Sequence, residues 1–332
     1  MSEAKIKEAK WYEKISEGRV ECNLCPHNCK LNEEQTGVCG ARENLNGKLI
    51  TKIYGQASAM AIDPIEKKPL FHFYPDTDIL SIGTVGCNLS CKFCQNHHIA
   101  HDHQAKTNFL TPEQIVAAAK KHDVIGVAYT YSEPIIWFEY LLETAKLVKE
   151  AGMKNVLVTN GVINSKPFNE LLPYIDGFNI DLKAFTEKFY RNICQGYLEP
   201  VKKTIRLANK EALVEVTTLL IPGLNDSKEE IEDLVRWLAE IEPNIPLHFS
   251  RYFPKYELEI EITPIETLLK AKELAEEKLN FVYLGNVQDS KYRNTYCYQC
   301  GELLIERDWS KVKLNLDEDL CPECGVKINI WN

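Results

Sequence analysis

Apolar and polar positions follow two alternating periods between residues 79 and 286. Short apolar, β-branched runs at 79–84, 124–130, 155–159, 177–181, 213–221, 247–253 and 281–284 predict buried strands. Amphipathic stretches between them open on helix-start signals. These are Thr111-Pro112-Glu113 before 115–121, Ser132 to Pro134 before 136–149, Ser227-Lys228-Glu229 before 231–241 and Thr263-Pro264 before 265–279. Strand-then-helix repetition predicts an α/β fold with a parallel sheet covered by helices, either a barrel or a doubly wound sheet. In both, the chemistry sits at the C-terminal ends of the strands. The polar groups there are Ser132 and Glu133, Asn160, Asp181 and Lys183, Asn225 and Asp226, and His248 to Arg251, and they are expected to converge on one mouth.

Composition narrows the picture. A chain of 332 residues with 45% hydrophobic side chains has room for one large domain and small appendages. With 39 basic against 48 acidic residues the net charge is −9, which argues against general binding to nucleic acid or an anionic membrane surface. The apolar runs are strand-sized, so no membrane span is expected. Residues 1–19 are charged and carry no apolar core, so no secretory signal is expected and a reducing cytoplasm is the default. The 12 cysteines then read as metal ligands and not as disulfides.

They fall into clusters. Cys297, Cys300, Cys321 and Cys324 form two C-x2-C knuckles, each followed by a glycine, and predict a closed structural zinc ribbon over 290–332. Cys22, Cys25, Cys29 and Cys39 form a second four-thiolate set in a module with lead-in over 1–78. That set suits either zinc or an iron–sulfur cluster, and structural zinc is placed first. Cys87, Cys91 and Cys94 follow the first predicted strand of a segment spanning 79–289. Three cysteines leave one iron of a 4Fe–4S cluster open to a small molecule, unless a distant residue caps it. Cys194 is left over and reads as a partly buried thiol. His97, His98, His101 and His103 match no recognised ligand spacing and read as a solvated loop, and Lys67 and Lys68 as a solvated turn.

On these residues the chain resembles radical S-adenosylmethionine (SAM) enzymes, Phe93 before the last cysteine included. More narrowly it resembles the pyruvate formate-lyase activating enzyme family, and most closely the radical SAM member of the AmmeMemoRadiSam system. The matching stretches are Cys22 to Cys29 with Cys39, Pro64 to Phe73, Phe93 to Asn96, Tyr129 to Pro134, Asp181 to Lys183, Leu220 to Asp226, His248 to Arg251 and Leu284 to Asn286. The resemblance implies a partial (β/α)6 barrel in which Cys87, Cys91 and Cys94 hold a 4Fe–4S cluster and SAM chelates the fourth iron. Reductive cleavage of SAM then gives a 5′-deoxyadenosyl radical that abstracts hydrogen. It implies that Ser132 and Glu133 receive the SAM amino group, and that Asn160, Asp181 and Lys183 meet polar groups of SAM, a cation or substrate. His248 is placed near the adenosine, or is simply a satisfied core histidine. One departure stands out: where relatives often carry two glycines before the glutamate, this chain has Tyr131-Ser132.

The expected function is hydrogen abstraction from a protein or peptide partner, as in glycyl-radical activases. A low-potential donor such as ferredoxin or flavodoxin supplies the electron, and Memo-type and AMMECR-type proteins are associated partners. A small-molecule substrate is the alternative within this chemistry. A non-catalytic adaptor with three metal-filled sites is the alternative outside it. A further version makes the first four cysteines an auxiliary iron–sulfur relay.

Overall fold

The computed structural model describes residues 7–102, 105–308 and 311–331. An 8-stranded sheet runs in unbroken chain order: β1 (Ala59–Pro64), β2 (Asp78–Gly83), β3 (Gly126–Tyr129), β4 (Lys154–Thr159), β5 (Gly177–Asp181), β6 (Leu213–Leu220), β7 (Leu247–Arg251) and β8 (Val282–Gly285). Strands β2 to β8 are parallel, and β1 lies antiparallel on β2. Six helices cross between the parallel strands: α1 (Pro112–Lys121), α2 (Phe138–Glu150), α3 (Ser165–Leu171), α4 (Leu198–Ala208), α5 (Lys228–Ile241) and α6 (Ile265–Glu276). Right-handed crossovers along a sheet that never reverses its order place every helix on one face. That decides between the two expected architectures in favour of an open barrel of six β/α units. The expected helix starts are present. Thr111 and Gln114 form a reciprocal capping box on α1, and Ser227 accepts from Glu230 N on α5.

Helices α3 and α4 and the edge strand β1 extend the sequence expectation. The edge strand lies in the segment read as lead-in, and it carries exposed Met60 and Ile62, which pair across the ladder with buried Ile82 and Leu80 of β2.

The lower interior of the barrel is filled by the chain between β1 and β2. Inward positions alternate along each strand, so Gly177, Asn179 and Asp181 on β5 share a face with Glu215 and Thr217 on β6. Asn179 Nδ2 donates to Pro69 O at 2.7 Å, and Glu215 Oε1 accepts from Phe71 N and His72 N, each at 2.7 Å. Gly177 is needed here, because a Cβ would come within 2.9 Å of the Phe73 ring. This plug fills the lower interior beside β5 and β6.

Two small units flank the barrel. The N-terminal one has two three-stranded antiparallel sheets: Lys7–Glu8, Lys48–Thr51 and Arg42–Leu45 in one, and Tyr12–Ser16, Arg19–Cys22 and Lys30–Leu31 in the other. Arg42, fully buried, joins it to α2 through a two-pronged pair with Glu139, both contacts at 2.7 Å. The C-terminal unit pairs Thr295–Tyr296, Leu303–Arg307 and Val312–Leu314. It shares one core with Phe71, Phe281 and Tyr283, and Arg307 donates to Phe71 O at 2.6 Å. Its tail runs beside the plug, with Trp331 N donating to His72 O at 2.8 Å and Tyr74 N to Trp331 O at 2.6 Å. Among the described residues no helix is long and apolar enough to cross a membrane.

Candidate active site

At the open end a cavity of about 380 Å³ is lined by Cys87, Cys91 and Cys94 together with Ser132, Glu133, Asn160, Asp181 and Lys183. Every strand-end residue expected at the mouth from β2 to β5 is therefore in one place. His248 is not among them. It lines an adjoining cavity of about 750 Å³ that shares Lys67, Gln95, Thr217, Ser250 and Asn286 with the first. There its Nε2 lies 2.6 Å from Glu215 Oε2, one layer below Ser250. That placement matches the satisfied-core alternative for His248 more closely than a contact in the three-thiol cavity.

Glu133 is 3% exposed and organises the floor. Its Oε1 accepts from Ile135 N at 3.0 Å and Thr159 Oγ1 at 2.6 Å, and its Oε2 from Asn160 N at 2.8 Å. An ionised carboxylate offers about four acceptor positions, so one is left for a ligand. Burial raises the Glu133 pKa to about 7, against the lowering effect of those three donors and of Lys183. Burial alone would lower the pKa of Lys183, yet Asp181 Oδ2 at 3.0 Å and the nearby thiols of Cys91 and Cys194 hold it well above its ordinary value.

The three cysteines differ in their surroundings. Cys87 Sγ accepts from Leu89 N at 3.4 Å and from Asn160 Nδ2 at 3.7 Å. Burial, and then Glu133, raise the Cys87 pKa. Cys91 is raised first by a hydrogen bond with Cys194 and then by burial. Cys194 is thus not the partly buried thiol expected. It is fully buried, at the end of a π-helical turn (Tyr190–Cys194) whose Ile193 and Cys194 carbonyls accept from Lys92 N and Ser90 N, bracketing Cys91. A single wide turn of this kind is commonly found at functional sites.

Tyr131 accounts for the departure from two glycines. Its φ of +73° is one a glycine takes freely and a tyrosine rarely. Three neighbours hold it: the hydroxyl donates to Asp63 Oδ2 at 2.8 Å, Lys68 Nζ sits 5.2 Å from the ring centroid, and the carbonyl accepts from Asn96 Nδ2 at 2.6 Å. Lys68 is accordingly 3% exposed and paired with Asp63 at 2.7 Å, not part of a solvated turn. A basic pair in a short loop gives no sign of this, since the carboxylate and ring that receive Lys68 come from β1 and from the loop after β3. The expected solvated loop of histidines is a helical turn (His97–Ala100) in which the His97 and His101 rings stack on Tyr256 at 4.7 and 5.4 Å. His103 lies outside the described residues.

Among the described residues, Cys297, Cys300, Cys321 and Cys324 are the one set of three or more Cys, His, Asp or Glu side chains whose ligand atoms all lie within 4.8 Å of one another. The Cys297–Cys324 and Cys300–Cys321 sulfurs are each 3.6 Å apart. A tetrahedron with metal–sulfur bonds of about 2.3 Å has edges of about 3.8 Å, so this quartet fits a single zinc.

The three-thiol loop at the mouth of a six-unit open barrel, facing a buried carboxyl and a half-buried ammonium, defines a class of enzyme that couples an iron–sulfur cluster to a small bound cofactor. The donor set fits that group: three thiols line one cavity, with two N–H donors already directed at one sulfur. Residues 81–238 match the profile of the Radical SAM superfamily. An uncharacterized protein of Methanocaldococcus jannaschii is 43% identical over 98% of this chain and 99% of its own. The pyruvate formate-lyase-activating enzyme of Clostridium pasteurianum is 25% identical over 58% of this chain and 86% of its own. A radical SAM methyltransferase from Sphaerobacter thermophilus shares the fold with a TM-score of 0.51 at 17% identity, over 64% of this chain and 67% of that one. The chain belongs to the radical SAM superfamily, and membership implies a 4Fe–4S cluster and SAM.

Proposed function

We propose that Cys87, Cys91 and Cys94 hold the 4Fe–4S cluster and that the chain abstracts a hydrogen atom from a protein or peptide partner. The observation that carries this is the meeting of three thiols with Glu133, Asn160, Asp181 and Lys183 in one cavity. Bound together, cluster and SAM supply a carbon-centred radical once one electron is delivered. The protein's part is binding, orientation and exclusion of water. Glu133, with one acceptor position open, faces the ammonium end of the cofactor, where an ionised carboxylate makes a charge-assisted contact. The Asp181–Lys183 pair presents a charge of each sign in the same cavity. Asn160 has its side chain committed to Cys87, Asn88 and Val162 N, so it serves the cluster loop and meets SAM only through what it holds in place.

A protein partner is supported by the likeness to the activating enzyme of C. pasteurianum, whose name describes action on another enzyme. Memo-type and AMMECR-type proteins are the partners to try first, with ferredoxin or flavodoxin as electron donor. The ribbon cysteines hold zinc in this reading. The test is anaerobic reconstitution followed by dithionite and SAM. The expected products are methionine and 5′-deoxyadenosine, with none formed by Cys91→Ala. Equal yield from that variant would overturn the assignment.

A further inference from the structure

The two cysteine quartets offer identical donors and differ in spacing. In the ribbon all four sulfurs lie within 4.8 Å of one another. No three of Cys22, Cys25, Cys29 and Cys39, all of them described residues, form such a set, and neither do Cys87, Cys91 and Cys94. A single ion requires close spacing because every thiolate reaches the same centre. A cluster gives its thiolates different irons and so keeps them further apart. One chain thus holds both standards, and the N-terminal quartet sides with the three-cysteine loop.

Its position adds a second observation. The Cys39 carbonyl oxygen lies 2.6 Å from where a Cβ on Gly86 would be, so no side chain fits between the quartet's last cysteine and the residue before Cys87. From the other side, His27, between Cys25 and Cys29, has Nε2 2.7 Å from the carbonyl oxygen of Asn88, which follows Cys87. Cys22, Cys25 and Cys39 are buried and Cys29 is half-buried. A zinc staple folds its own loop and has no need to abut a second cysteine loop.

We propose that Cys22, Cys25, Cys29 and Cys39 hold an iron–sulfur cluster in place of the zinc expected from sequence, and that it passes electrons to the Cys87 loop. One electron leaves a reduced ferredoxin- or flavodoxin-class donor, reduces this cluster, and moves on to the cluster at Cys87, Cys91 and Cys94. The donor ends oxidised by one electron and no atom is transferred. The relay role rests on the proposed function; the metal assignment does not.

The test uses the full chain, reconstituted anaerobically, beside the triple variant Cys87→Ala/Cys91→Ala/Cys94→Ala. The variant should keep about two to four iron with about one zinc per chain, and show an iron–sulfur EPR signal after dithionite. The unaltered chain should carry about four iron more. A variant with about two zinc and no iron, or with one zinc and nothing in the quartet, overturns the proposal. Should the variant fail to fold, the unaltered chain decides: about six to eight iron supports the second cluster and about four refutes it. Equal iron in both proteins, with the EPR signal present in both, leaves this inference standing and sinks the assignment of Cys87, Cys91 and Cys94.

Discussion

Asn160 Nδ2 reaches the sulfur of Cys87 at 3.7 Å while holding Asn88 Oδ1 at 2.8 Å, so one amide ties the end of β4 to two residues of the cysteine loop. A hydrogen bond to a ligating sulfur favours the more negative, reduced cluster and raises its potential. Asn160→Ala should therefore shift the midpoint of the Cys87 cluster downward, on the order of tens of millivolts, at unchanged iron content. An EPR-monitored redox titration reads the shift; an unmoved midpoint would show that the contact has no electronic role.

The Glu133 carboxyl, with its pKa raised to about 7 in the fold against 4.5 for an ordinary glutamate, predicts a pH effect on the cluster-free protein. Between those values the folded chain holds a proton that the unfolded chain has released. Stability is therefore greatest below pH 4.5 as far as this group is concerned, and is lost as pH rises through about 7. Melting temperatures across that range should fall more steeply for the unaltered apo-protein than for Glu133→Gln, which has nothing to ionise. Parallel curves would contradict the raised pKa.

Arg42 and Glu139 are 1% and 5% exposed, and Arg42 Nη2 donates to both Glu139 carboxylate oxygens at 2.7 Å. Removing one partner strands a buried charge, so Arg42→Ala should cost about 3–5 kcal/mol. Removing both with apolar replacements should recover much of that loss, because the desolvation cost disappears with the pair. Urea unfolding of Arg42→Ala against Arg42→Met/Glu139→Leu measures the difference. Equal destabilisation would mean that the pair itself, and not the stranded charge, carries the stability.

Cys324→Ser should release about one zinc per chain while leaving the iron–sulfur absorbance unchanged, since the ribbon quartet shares no ligand with the barrel cavity. Metal analysis and the visible spectrum decide it together. Loss of iron along with zinc would show that the ribbon's hold on Phe71 supports the cluster loop as well.

Much of the barrel is legible because each of its elements is a local pattern. Runs such as Val156 to Val158 are continuous and apolar because parallel strands are covered on both sides, and caps such as Thr111 and Ser227 announce the helices that follow. Helices α3 and α4 are harder to read. Pro167 and Pro200 fall near their starts and resemble breakers, and the buried face of α4 is no more than Leu198, Val201, Thr204, Ile205 and Ala208. The cysteine spacing locates the site, and the strand ends supply Glu133, Asn160, Asp181 and Lys183. Illegible were the partnerships formed by distant segments: Tyr131 with Asp63 and Lys68, Cys194 with Cys91, and Asn160 with a sulfur instead of open solvent. None follows from spacing, because each joins elements whose separation is set only by the folded sheet.

The plug beneath the cavity implies an order of assembly. His72 bonds Tyr283 across 211 residues, Phe71 bonds Arg307 across 236, and Trp331 bonds His72 near the end of the chain. Contacts between such distant segments form late and slowly, since the intervening loop must close before any of them contributes. On a ribosome, the segment that fills the barrel is made before its partners and waits, solvated, until Tyr283, Arg307 and Trp331 have emerged. Loss of the Trp331 backbone contacts to His72 and Tyr74 therefore disturbs the floor of a site more than two hundred positions away.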